Sequence, residues 1–350
     1  MITKSKTKRA SSIKPSKKSH ASSNSIRNDS FPVPARKLVR RVQNFSSMHQ
    51  LWKHGDSFIL GISGGPDSVC LLDIFAFLEK KYDFRIVLTH VNYGLRGKDS
   101  DTDERFVKEL ACRYDFPLFI LHPNITAKNN LEERLRDIRY RFFEKIRTET
   151  RSQYIVTAHH EDDQAETFLL HLFRGSGLRG LSAMRPKNGV LIRPLLDTSR
   201  TDILGYLSAR HLPFCTDTTN FSNQFLRNKI RNKLIPLLEK EYAPKLRKRL
   251  ATTASLVAED ISLIEEATKN SKKILLDRHS FSLKSFSRLS LAKRRLFLDT
   301  FFKNHGGKVR GTWITETEKM LSLAKNKNQT LSFPGLKILR KGDTVLLIQL

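Results

Sequence analysis

The amino-acid sequence predicts an α/β protein: a doubly wound, mostly parallel sheet followed by a smaller, mainly helical C-terminal domain. The first observation is that apolar, strand-like runs alternate with helical patterns from about residue 57 to residue 210. Such alternation requires crossover connections, which produce parallel strands covered by helices on both faces. The second is that polar stretches directly follow three of the strand patterns. Since ligands of such sheets bind beyond the carboxyl ends of the strands, we expect these stretches to meet at one edge.

Hydrophobic periodicity defines the individual elements. The predicted strands are Ser57–Ile62, Arg85–Asn92, Pro117–Leu121, Tyr154–Ala158 and Val190–Ile192. The predicted helices are Pro66–Tyr82, Asp99–Tyr114, Asn130–Thr150, Asp162–Arg174 and Thr198–Arg210. A basic helical stretch from Ala35 to about Gly55 precedes the first strand.

The chain divides into four predicted regions. Residues 1–34 form a basic Lys- and Ser-rich tail, which we expect to be disordered because it has almost no bulky apolar residues. Residues 35–213 hold the α/β domain, residues 214–250 a basic linker and helix, and residues 251–350 a small separate domain. This last region includes a helical pattern at Leu289–Lys303 and a strand-like tail at Lys337–Gln349.

The composition indicates a polyanionic partner. The formal net charge is +28 and the isoelectric point is about 10.2. Such an excess of positive charge favours nucleic acid as the partner. Residues 1–30 contribute a net +7, from eight basic residues and one acidic residue, so most of the excess lies elsewhere.

The cysteines and apolar runs bear on location. Cys70, Cys112 and Cys215 form no C-x-x-C pair, so neither a zinc finger nor a disulfide framework is predicted. No apolar run reaches the roughly 18 residues of a membrane span, and no apolar h-region follows the N-terminal charges. We expect no membrane association and a cytoplasmic location. A transit peptide to an organelle stroma is the less favoured alternative, because Lys outnumbers Arg in the Ser-rich tail.

The stretch Ser63-Gly64-Gly65-Pro66-Asp67-Ser68 follows the first strand and opens a helix. Adjacent glycines let backbone N–H groups approach a ligand closely, and the helix N-terminus adds unpaired donors and a positive dipole end. The serine hydroxyls and the Asp67 carboxylate complete a predicted phosphate site with a bridging metal. The sequence has no G-x-x-x-x-G-K-[ST] motif. Gly175–Gly180 reads G-x-G-x-x-G, but it follows a predicted helix, so we interpret it as a helix-terminating loop.

A second polar stretch, Thr157–Thr167, lies at the start of another helix. Its polar members include His159, His160, Glu161, Asp162, Asp163 and Glu166. A carboxylate here can bind Mg²⁺, which prefers oxygen ligands and phosphates, or act as a general base. Favourable pairing with the helix dipole is the alternative. A zinc site at the adjacent histidines is less favoured, because their side chains project in different directions and no cysteine is near.

Two basic stretches are candidates for phosphate contacts. Arg136 and Arg139 lie three residues apart on one predicted helix face, and we expect Arg139 to bind a phosphate. Residues 222–250 hold nine basic residues against two acidic ones. There we expect a phosphate-contacting surface rather than a merely solvated helix face. Its proposed members are Arg227, Lys229, Arg231 and Lys233.

Ser63–Ser68 matches S-G-G-x-D-S, and the chain resembles the PP-loop ATP pyrophosphatases in this motif. Within them it is similar to the tRNA(Ile)-lysidine synthetase family over roughly residues 57–236, and more loosely over 280–350. The matching stretches are His90–Arg96, Leu131–Tyr140, Thr157–Thr167, Arg174–Leu181, Arg193–Leu196, Asp217–Asn220 and Arg227–Arg231. Tyr93 departs from the family, which commonly has His there. The chain ends where longer members continue, so it resembles the short form.

The resemblance implies an adenine nucleotide alpha hydrolase-like fold and an enzyme that forms a carbon–nitrogen bond. ATP would adenylate the C2 carbonyl oxygen of the wobble cytidine in tRNA(Ile) with a CAU anticodon. Free L-lysine would then displace AMP and give lysidine. The C-terminal domain would help to select the tRNA, and a homodimer is compatible with the family.

The resemblance also implies roles for individual residues. The catalytic residues would be Asp67, Asp162 and Asp163, with Mg²⁺ on Asp67 and Asp162. The ATP-binding residues would be Ser63, Gly64, Gly65, Pro66, Asp67, Ser68, His90, Arg139 and His159. The tRNA-binding residues would be Arg227, Lys229, Arg231 and Lys233. Which of Asp162 and Asp163 binds metal and which acts as the base stays open.

Three other functions are weighed against this one. A PP-loop tRNA thiolase is disfavoured because many of these use a cysteine pair that the sequence lacks. An amide-forming synthetase is disfavoured by the charge of +28. A non-catalytic RNA-binding protein would explain the charge but would leave Ser63–Ser68 and the aspartates without a role.

Overall fold

The computed structural model describes residues 2–4, 31–125, 131–215, 226–268, 274–305, 311–322 and 328–350. The chain forms two compact units: Met1–Leu170 with Ala183–Ala254, and His171–Ser182 with Ser255–Leu350. The units differ from the predicted regions in two respects. The basic stretch expected as a linker belongs to the first unit, and residues 171–182 group with the C-terminal unit. The Asp217–Asn220 stretch lies outside the described residues.

The first unit contains a seven-stranded sheet in the order β1-β4-β3-β2-β5-β7-β6. Strands β4, β3, β2, β5 and β7 are parallel, and the edge strands β1 and β6 are antiparallel to their neighbours. The strands are β1 (Ile2–Lys4), β2 (Ser57–Gly61), β3 (Arg85–Val91), β4 (Leu118–Leu121), β5 (Tyr154–Val156), β6 (Lys187–Asn188) and β7 (Leu191–Ile192).

Helices follow most of these strands. Those wholly in the first unit are α1 (Val33–Met48), α2 (Pro66–Tyr82), α3 (Lys98–Tyr114), α4 (Leu131–Thr150), α7 (Arg200–Ala209), α8 (Leu226–Lys229) and α9 (Ile235–Glu241). A π-helical turn, Ile230–Leu234, joins α8 to α9. We call this contiguous helical segment helix 226–241. Helices α5 (Glu161–Phe173) and α10 (Leu246–Thr268) contribute residues to both units.

The sheet is covered on both faces because its central strands carry apolar side chains on both sides. On β2, Phe58 and Leu60 pack into the large core beneath α1, α2, α3 and α7. Ile59 points the other way and packs with Phe142 and Phe143 of α4. Each strand therefore contributes to two cores, as expected for a doubly wound sheet.

The predicted α/β alternation is confirmed, with the ends of the elements between residues 57 and 210 within about two residues of those in the structure. The first helix was predicted to run from Ala35 to about Gly55, but it ends at Met48. The structure differs in the N-terminal tail, where Ile2–Lys4 pairs with β4 although the sequence predicts disorder. A strand can pair through its backbone alone on an open sheet edge, so the side chains give little signal. Residues 5–30 of that tail lie outside the described residues.

The second unit combines helices with a four-stranded antiparallel sheet in the order β8-β11-β10-β9. Its strands are β8 (Ser280–Ser282), β9 (Asn328–Phe333), β10 (Leu336–Lys341) and β11 (Thr344–Gln349), and its own helices are α6 (Leu178–Leu181), α11 (Leu283–Ser287), α12 (Leu291–Lys303) and α13 (Gly311–Ser322). The helices and the strand-like tail were predicted; the extent of the sheet was not. The G-x-G-x-x-G stretch follows α5, a helix rather than a strand, as the interpretation required, but its last three residues lie in the short helix α6.

Candidate active site

The loop Ser63–Ser68 connects β2 to α2 at the carboxyl edge of the sheet. Gly64 has φ +89°, a left-handed conformation that favours glycine. The Ser68 hydroxyl accepts from the Ser63 N–H at 3.2 Å and donates to the Gly65 carbonyl at 2.9 Å. Ser68 is buried and braces the loop from within, whereas Ser63 is exposed. The sequence thus builds a hydrogen-bonded turn that presents the exposed Ser63 hydroxyl beside the N-terminus of α2.

A cavity of about 740 Å³ opens above this loop. Its wall contains Ser63, Gly65, Pro66, Asp67, Arg96, Asp103, His160, Asp162, Asp163, Arg200, Leu204, Phe214, Cys215, Arg231, Asn232, Pro236 and Arg247. All of these residues belong to the first unit. The three polar stretches that follow strands, Ser63–Ser68, His90–Gly97 and His159–Asp163, therefore all contribute to this wall as expected, the second of them through Arg96. Four predicted ATP-binding residues and all three predicted catalytic aspartates line the cavity.

His160 lies between the three aspartates and is 1% exposed. Its Nε2 is 3.6 Å from Asp67 Oδ2 and 3.6 Å from Asp163 Oδ2, and its Nδ1 is 3.6 Å from Asp162 Oδ1. Burial opposes a charge on the imidazole, but the three carboxylates outweigh it and raise the pKa of His160 well above its usual value. The imidazole thus links the first turn of α2 to the first turn of α5.

The three aspartates have different partners. Asp67 Oδ1 is buried and has no hydrogen-bond partner among the described residues. Asp162 Oδ2 accepts from Arg247 Nε at 3.0 Å, and its Oδ1 accepts from the backbone N–H of Arg200 at 3.4 Å. Asp163 Oδ2 accepts from the backbone N–H of His160 at 3.1 Å. Of these three aspartates, Asp67 is the one with an oxygen that is buried and has no hydrogen-bond partner among the described residues.

Arg227 and Arg231 complete the surroundings of Asp163. Asp163 Oδ1 accepts from Arg227 at 2.8 Å and from Arg231 at 3.1 Å. Glu166, which is 1% exposed, accepts from Arg227 Nε at 2.7 Å and from the Arg231 guanidinium at 3.0 Å. Burial raises the pKa of Asp163, but His160 and the two arginines outweigh it and hold that pKa far below the usual value. Asp163 is thus an ionised, fully hydrogen-bonded carboxylate.

This arrangement corrects the prediction for the basic stretch. Arg227 and Arg231 were expected on a phosphate-contacting surface, but both point inward to Asp163 and Glu166. Lys229 and Lys233 are exposed. Because basic and neutral residues alternate in the sequence, all four basic residues were expected on one surface. Residues four apart share a face of a helix, so the two arginines lie on one face and the two lysines on another.

Five predicted ATP-binding residues do not line the cavity. Gly64 and Ser68 belong to the loop itself, and the other three lie elsewhere. His90 is buried behind the loop, where its Nδ1–H donates to the Ile62 carbonyl at 2.8 Å. Burial lowers the pKa of His90 and favours the neutral ring. Arg139 is on α4, which covers the other sheet face. His159 Nδ1 bonds to Thr157 Oγ1 at 2.8 Å.

His159 and Arg139 belong to a second polar cluster with Tyr140 and Arg193. Arg193 is 4% exposed, and its guanidinium donates to the Arg185 carbonyl at 2.7 Å. Burial lowers the pKa of His159 to about 3, so the ring is neutral. The nearby arginines lower this pKa further, and Asp163 acts in the opposite direction. Arg139 Nε, Arg193 Nε and the Tyr140 hydroxyl are buried without a hydrogen-bond partner among the described residues. Several orphaned donors in one place fit an anionic group.

Comparison with protein families supplies the decisive match: the PP-loop domain family matches residues 34–238. The chain belongs to the PP-loop family. The matched residues contain the whole cavity wall except Arg247, so the PP-loop assignment applies to the site as well as to the sheet.

Several curated relatives of this PP-loop chain carry the same name. The chain is 40% identical over 250 residues to "tRNA(Ile)-lysidine synthase" of Geobacter sulfurreducens, and the match covers 68% of this chain and 52% of the relative. It is 36% identical to that of Caldanaerobacter subterraneus, covering 65% and 49%, and 32% identical to that of Clostridium perfringens, covering 74% and 59%. The chain spans about half the length of the curated relatives it matches.

A solved structure supports the PP-loop fold. The U34-tRNA thiolase NcsA from Methanococcus maripaludis matches with a TM-score of 0.53 and 18% identity, covering 65% of this chain and 79% of the thiolase. This likeness concerns the fold alone. None of the helices in the described ranges is both long and apolar enough for a membrane crossing.

Sequence reasoning missed several cavity residues of the PP-loop unit. Glu166 binds Arg227 and Arg231 next to the cavity wall; it lies three residues after Asp163, so helical spacing alone puts both on one face. Arg200, Arg247, Arg96 and Cys215 carry no such local signal, because only tertiary packing brings them to the loop. The backbone N–H of Cys215 donates to the Gly64 carbonyl at 2.9 Å and fixes that wall.

Proposed function

We propose that the chain ligates free L-lysine to the wobble cytidine of tRNA(Ile), with ATP as the activating substrate. ATP adenylates the C2 carbonyl oxygen of cytidine and releases pyrophosphate; the lysine ε-amine then attacks C2 and AMP leaves. The observation that carries this proposal is the cavity, in which a phosphate-binding turn faces a cluster of carboxylates. The similarity to tRNA(Ile)-lysidine synthases supplies the choice of substrates.

The loop Ser63–Ser68 would hold the pyrophosphate that leaves. Its exposed Ser63 hydroxyl, its backbone donors and the start of α2 offer several hydrogen bonds to phosphate oxygens. Arg96 and Arg200 in the same wall add positive charge. These groups stabilise a leaving group with several negative charges, which is what cleavage between the α and β phosphates requires.

The cavity fits a magnesium ion held by two carboxylates and substrate phosphates. The Oδ1 of Asp67 is buried without a hydrogen-bond partner among the described residues, and Asp162 lines the same wall. No group of three or more His, Cys, Asp or Glu side chains within the described ranges is arranged to hold a metal ion. This agrees with the way Mg²⁺ is usually bound, by one or two carboxylates with phosphate oxygens as further ligands. When bound, the ion would neutralise phosphate charge during adenylation.

Asp163 would be a positioning group rather than the general base. Both its oxygens already accept hydrogen bonds, and a carboxylate with a strongly lowered pKa accepts a proton poorly. The sequence left the roles of Asp162 and Asp163 open. Asp162 has one guanidinium partner, Arg247, whereas Asp163 has two, so we assign Asp162 to the metal and Asp163 to holding Arg227 and Arg231 in place.

The second cluster would receive an anionic group of a substrate that stays outside the phosphate cavity. The α-carboxylate of free lysine is such a group. Arg139 and Arg193 offer the orphaned donors, and the neutral ring of His159 adds no repulsion toward an incoming amine. Arg139 is thereby reassigned from ATP binding to lysine binding in this proposal.

The test is incubation of the protein with ATP, radiolabelled lysine and an unmodified tRNA(Ile) transcript. We expect label in the RNA, one AMP and one pyrophosphate per lysine incorporated. A transcript with a CAG anticodon is a matched control and should stay unlabelled. Formation of ADP instead of AMP, or incorporation of sulfur from a thiol donor, would contradict the proposal.

A further inference from the structure

Six exposed cations occupy one stretch of the first unit. They are Lys229, Lys233, Lys240, Lys245, Lys248 and Arg249, and we call them the outer basic face. Among residues 226–250, Glu241 is the one exposed acid; Glu239 is half-buried and bound to Arg247. The net positive charge of this face is therefore almost uncompensated along some six helical turns.

The orientation of this face is fixed by packing on its opposite side. Ile230 and Ile235 of helix 226–241 are buried against Ala165 and Leu169 of α5. The inward arginines bond to Asp163 and Glu166 on that same helix. Because apolar contacts and ion pairs hold the inner side, Lys229 and Lys233 must face solvent.

The two helices that carry the outer basic face are linked where α9 ends and α10 begins. The backbone N–H of Arg247, in the first turn of α10, donates to Glu239 Oε1 at 3.2 Å. The Arg247 guanidinium bonds to the other Glu239 oxygen and to Asp162. Lys240 at the end of α9 and Lys248 at the start of α10 are thus on adjoining elements.

An aromatic side chain lies in the middle of the outer basic face. Tyr242, in the connection between α9 and α10, is 74% exposed. Surface cations with an exposed aromatic ring form the usual combination for unpaired nucleic acid, in which the cations bind phosphates and the ring stacks on a base.

We propose that the outer basic face docks RNA through its phosphates and that Tyr242 stacks on an unpaired base. This inference rests on the proposed function, since it names the surface that would hold the tRNA. Arg227 and Arg231 take no direct part in docking, because their guanidinium groups are engaged by carboxylates. One helix then has two separate tasks: its lysines hold RNA, and its arginines position Asp163 and Glu166.

The test compares RNA binding by two triple variants, one with Lys229, Lys233 and Lys240 changed to Gln, the other with Lys245, Lys248 and Arg249 changed to Gln. Binding of an unmodified tRNA(Ile) transcript is followed by fluorescence anisotropy between 50 and 300 mM salt, without ATP or lysine. Each lost phosphate contact lowers the slope of log affinity against log salt by about 0.7–0.9. We expect each triple variant to lose a slope of about 2 and to bind at least about tenfold more weakly at 100 mM salt.

The matched control is a triple variant with Lys80, Lys81 and Lys145 changed to Gln. These exposed lysines lie at the C-terminal ends of α2 and α4, which face the sheet edge opposite the cavity. This control should bind like the unchanged protein. Tyr242→Ala should weaken binding about fivefold or more, whereas Tyr242→Phe should not, since stacking needs the ring alone.

Arg227→Gln and Arg231→Gln separate the two tasks of the helix. Both should retain the salt slope of the unchanged protein and lose lysine incorporation. Unchanged slopes in both lysine triple variants, or an equal fall in the arginine variants, would overturn the proposal. The proposal would also be overturned if the triple variants lost binding to phosphatidylserine vesicles but kept RNA binding. Because RNA binding is measured without catalysis, a protein that docks RNA here but makes no lysidine would refute only the proposed function.

Discussion

At the scale of single residues, Asp67 is the side chain that the cavity leaves least satisfied. Its Oδ1 is buried without a partner among the described residues, beside the phosphate-binding turn. We expect Asp67→Asn to lower lysine incorporation by about 100-fold or more, because metal coordination to transferring phosphates supplies several kcal/mol. Asp99→Asn, an exposed acid in the first turn of α3, is the control. Transcript binding should change less than twofold in both; normal turnover of Asp67→Asn would contradict the assigned role.

Asp73 is a buried acid that lies outside the cavity wall and holds a network of hydrogen bonds. It is 3% exposed and accepts from Tyr206 at 2.5 Å, from Tyr114 at 2.7 Å and from Arg210 at 3.0 Å. Removing one partner of such a network leaves charges buried and uncompensated. We expect Asp73→Ala to lower the free energy of unfolding in urea by about 3–5 kcal/mol, and Tyr114→Phe to lower it by about 1 kcal/mol. Equal losses for the two variants would argue against a network centred on Asp73.

The cysteines differ in expected reactivity. Burial, reinforced by the neighbouring Asp103, raises the pKa of Cys215 to about 12. At pH 8 only about one Cys215 thiol in ten thousand is then a thiolate, the reactive form. Cys112 is exposed, whereas Cys70 is buried. Mass spectrometry after brief iodoacetamide treatment at pH 8 should find Cys112 alkylated first, and labelling of Cys215 should rise tenfold per pH unit. Rapid labelling of Cys215 at pH 8 would contradict this.

At the scale of elements, Gly61 determines how closely α4 approaches the sheet. A Cβ built at Gly61 would lie 2.6 Å from the ring of Phe143. Gly61→Ala should therefore lower the free energy of unfolding by about 1–3 kcal/mol through overpacking. Adding Phe143→Leu should recover part of that loss, because it removes the obstructing ring. Gly205→Ala, in helix α7 with open space around it, is the control and should not destabilise. Additive losses in the double variant would contradict the assigned contact.

The elements also mark the limit of what the sequence predicts. The central strands and helices follow from hydrophobic periodicity, because each must bury a definite face. Edge strands such as Ile2–Lys4 and Lys187–Asn188 are held by backbone pairing and leave no such pattern. Helix 226–241 shows the same limit at the site: its basic residues were visible, but their division into inner arginines and outer lysines depends on α5 as a packing partner.

At the scale of the whole molecule, the charge of +28 should act in opposite directions on the free protein and on its RNA complex. Self-repulsion destabilises a highly charged compact state, and salt screens it, so the melting temperature of the free protein should rise between 50 and 300 mM salt. RNA binds the folded state and raises the melting temperature by mass action. That gain should shrink over the same salt range, because phosphate contacts weaken with salt.

Differential scanning fluorimetry with and without an unmodified tRNA transcript measures both effects in one experiment. The two melting curves should converge as salt rises, with the free protein moving upward. Polyglutamate of similar length is the control polyanion: it supplies negative charge without bases, so it should stabilise less than RNA at each salt concentration. A melting temperature of the free protein that falls with salt would show that its cations are already compensated within the fold. Equal stabilisation by polyglutamate would show that charge alone, without stacking, accounts for the RNA affinity.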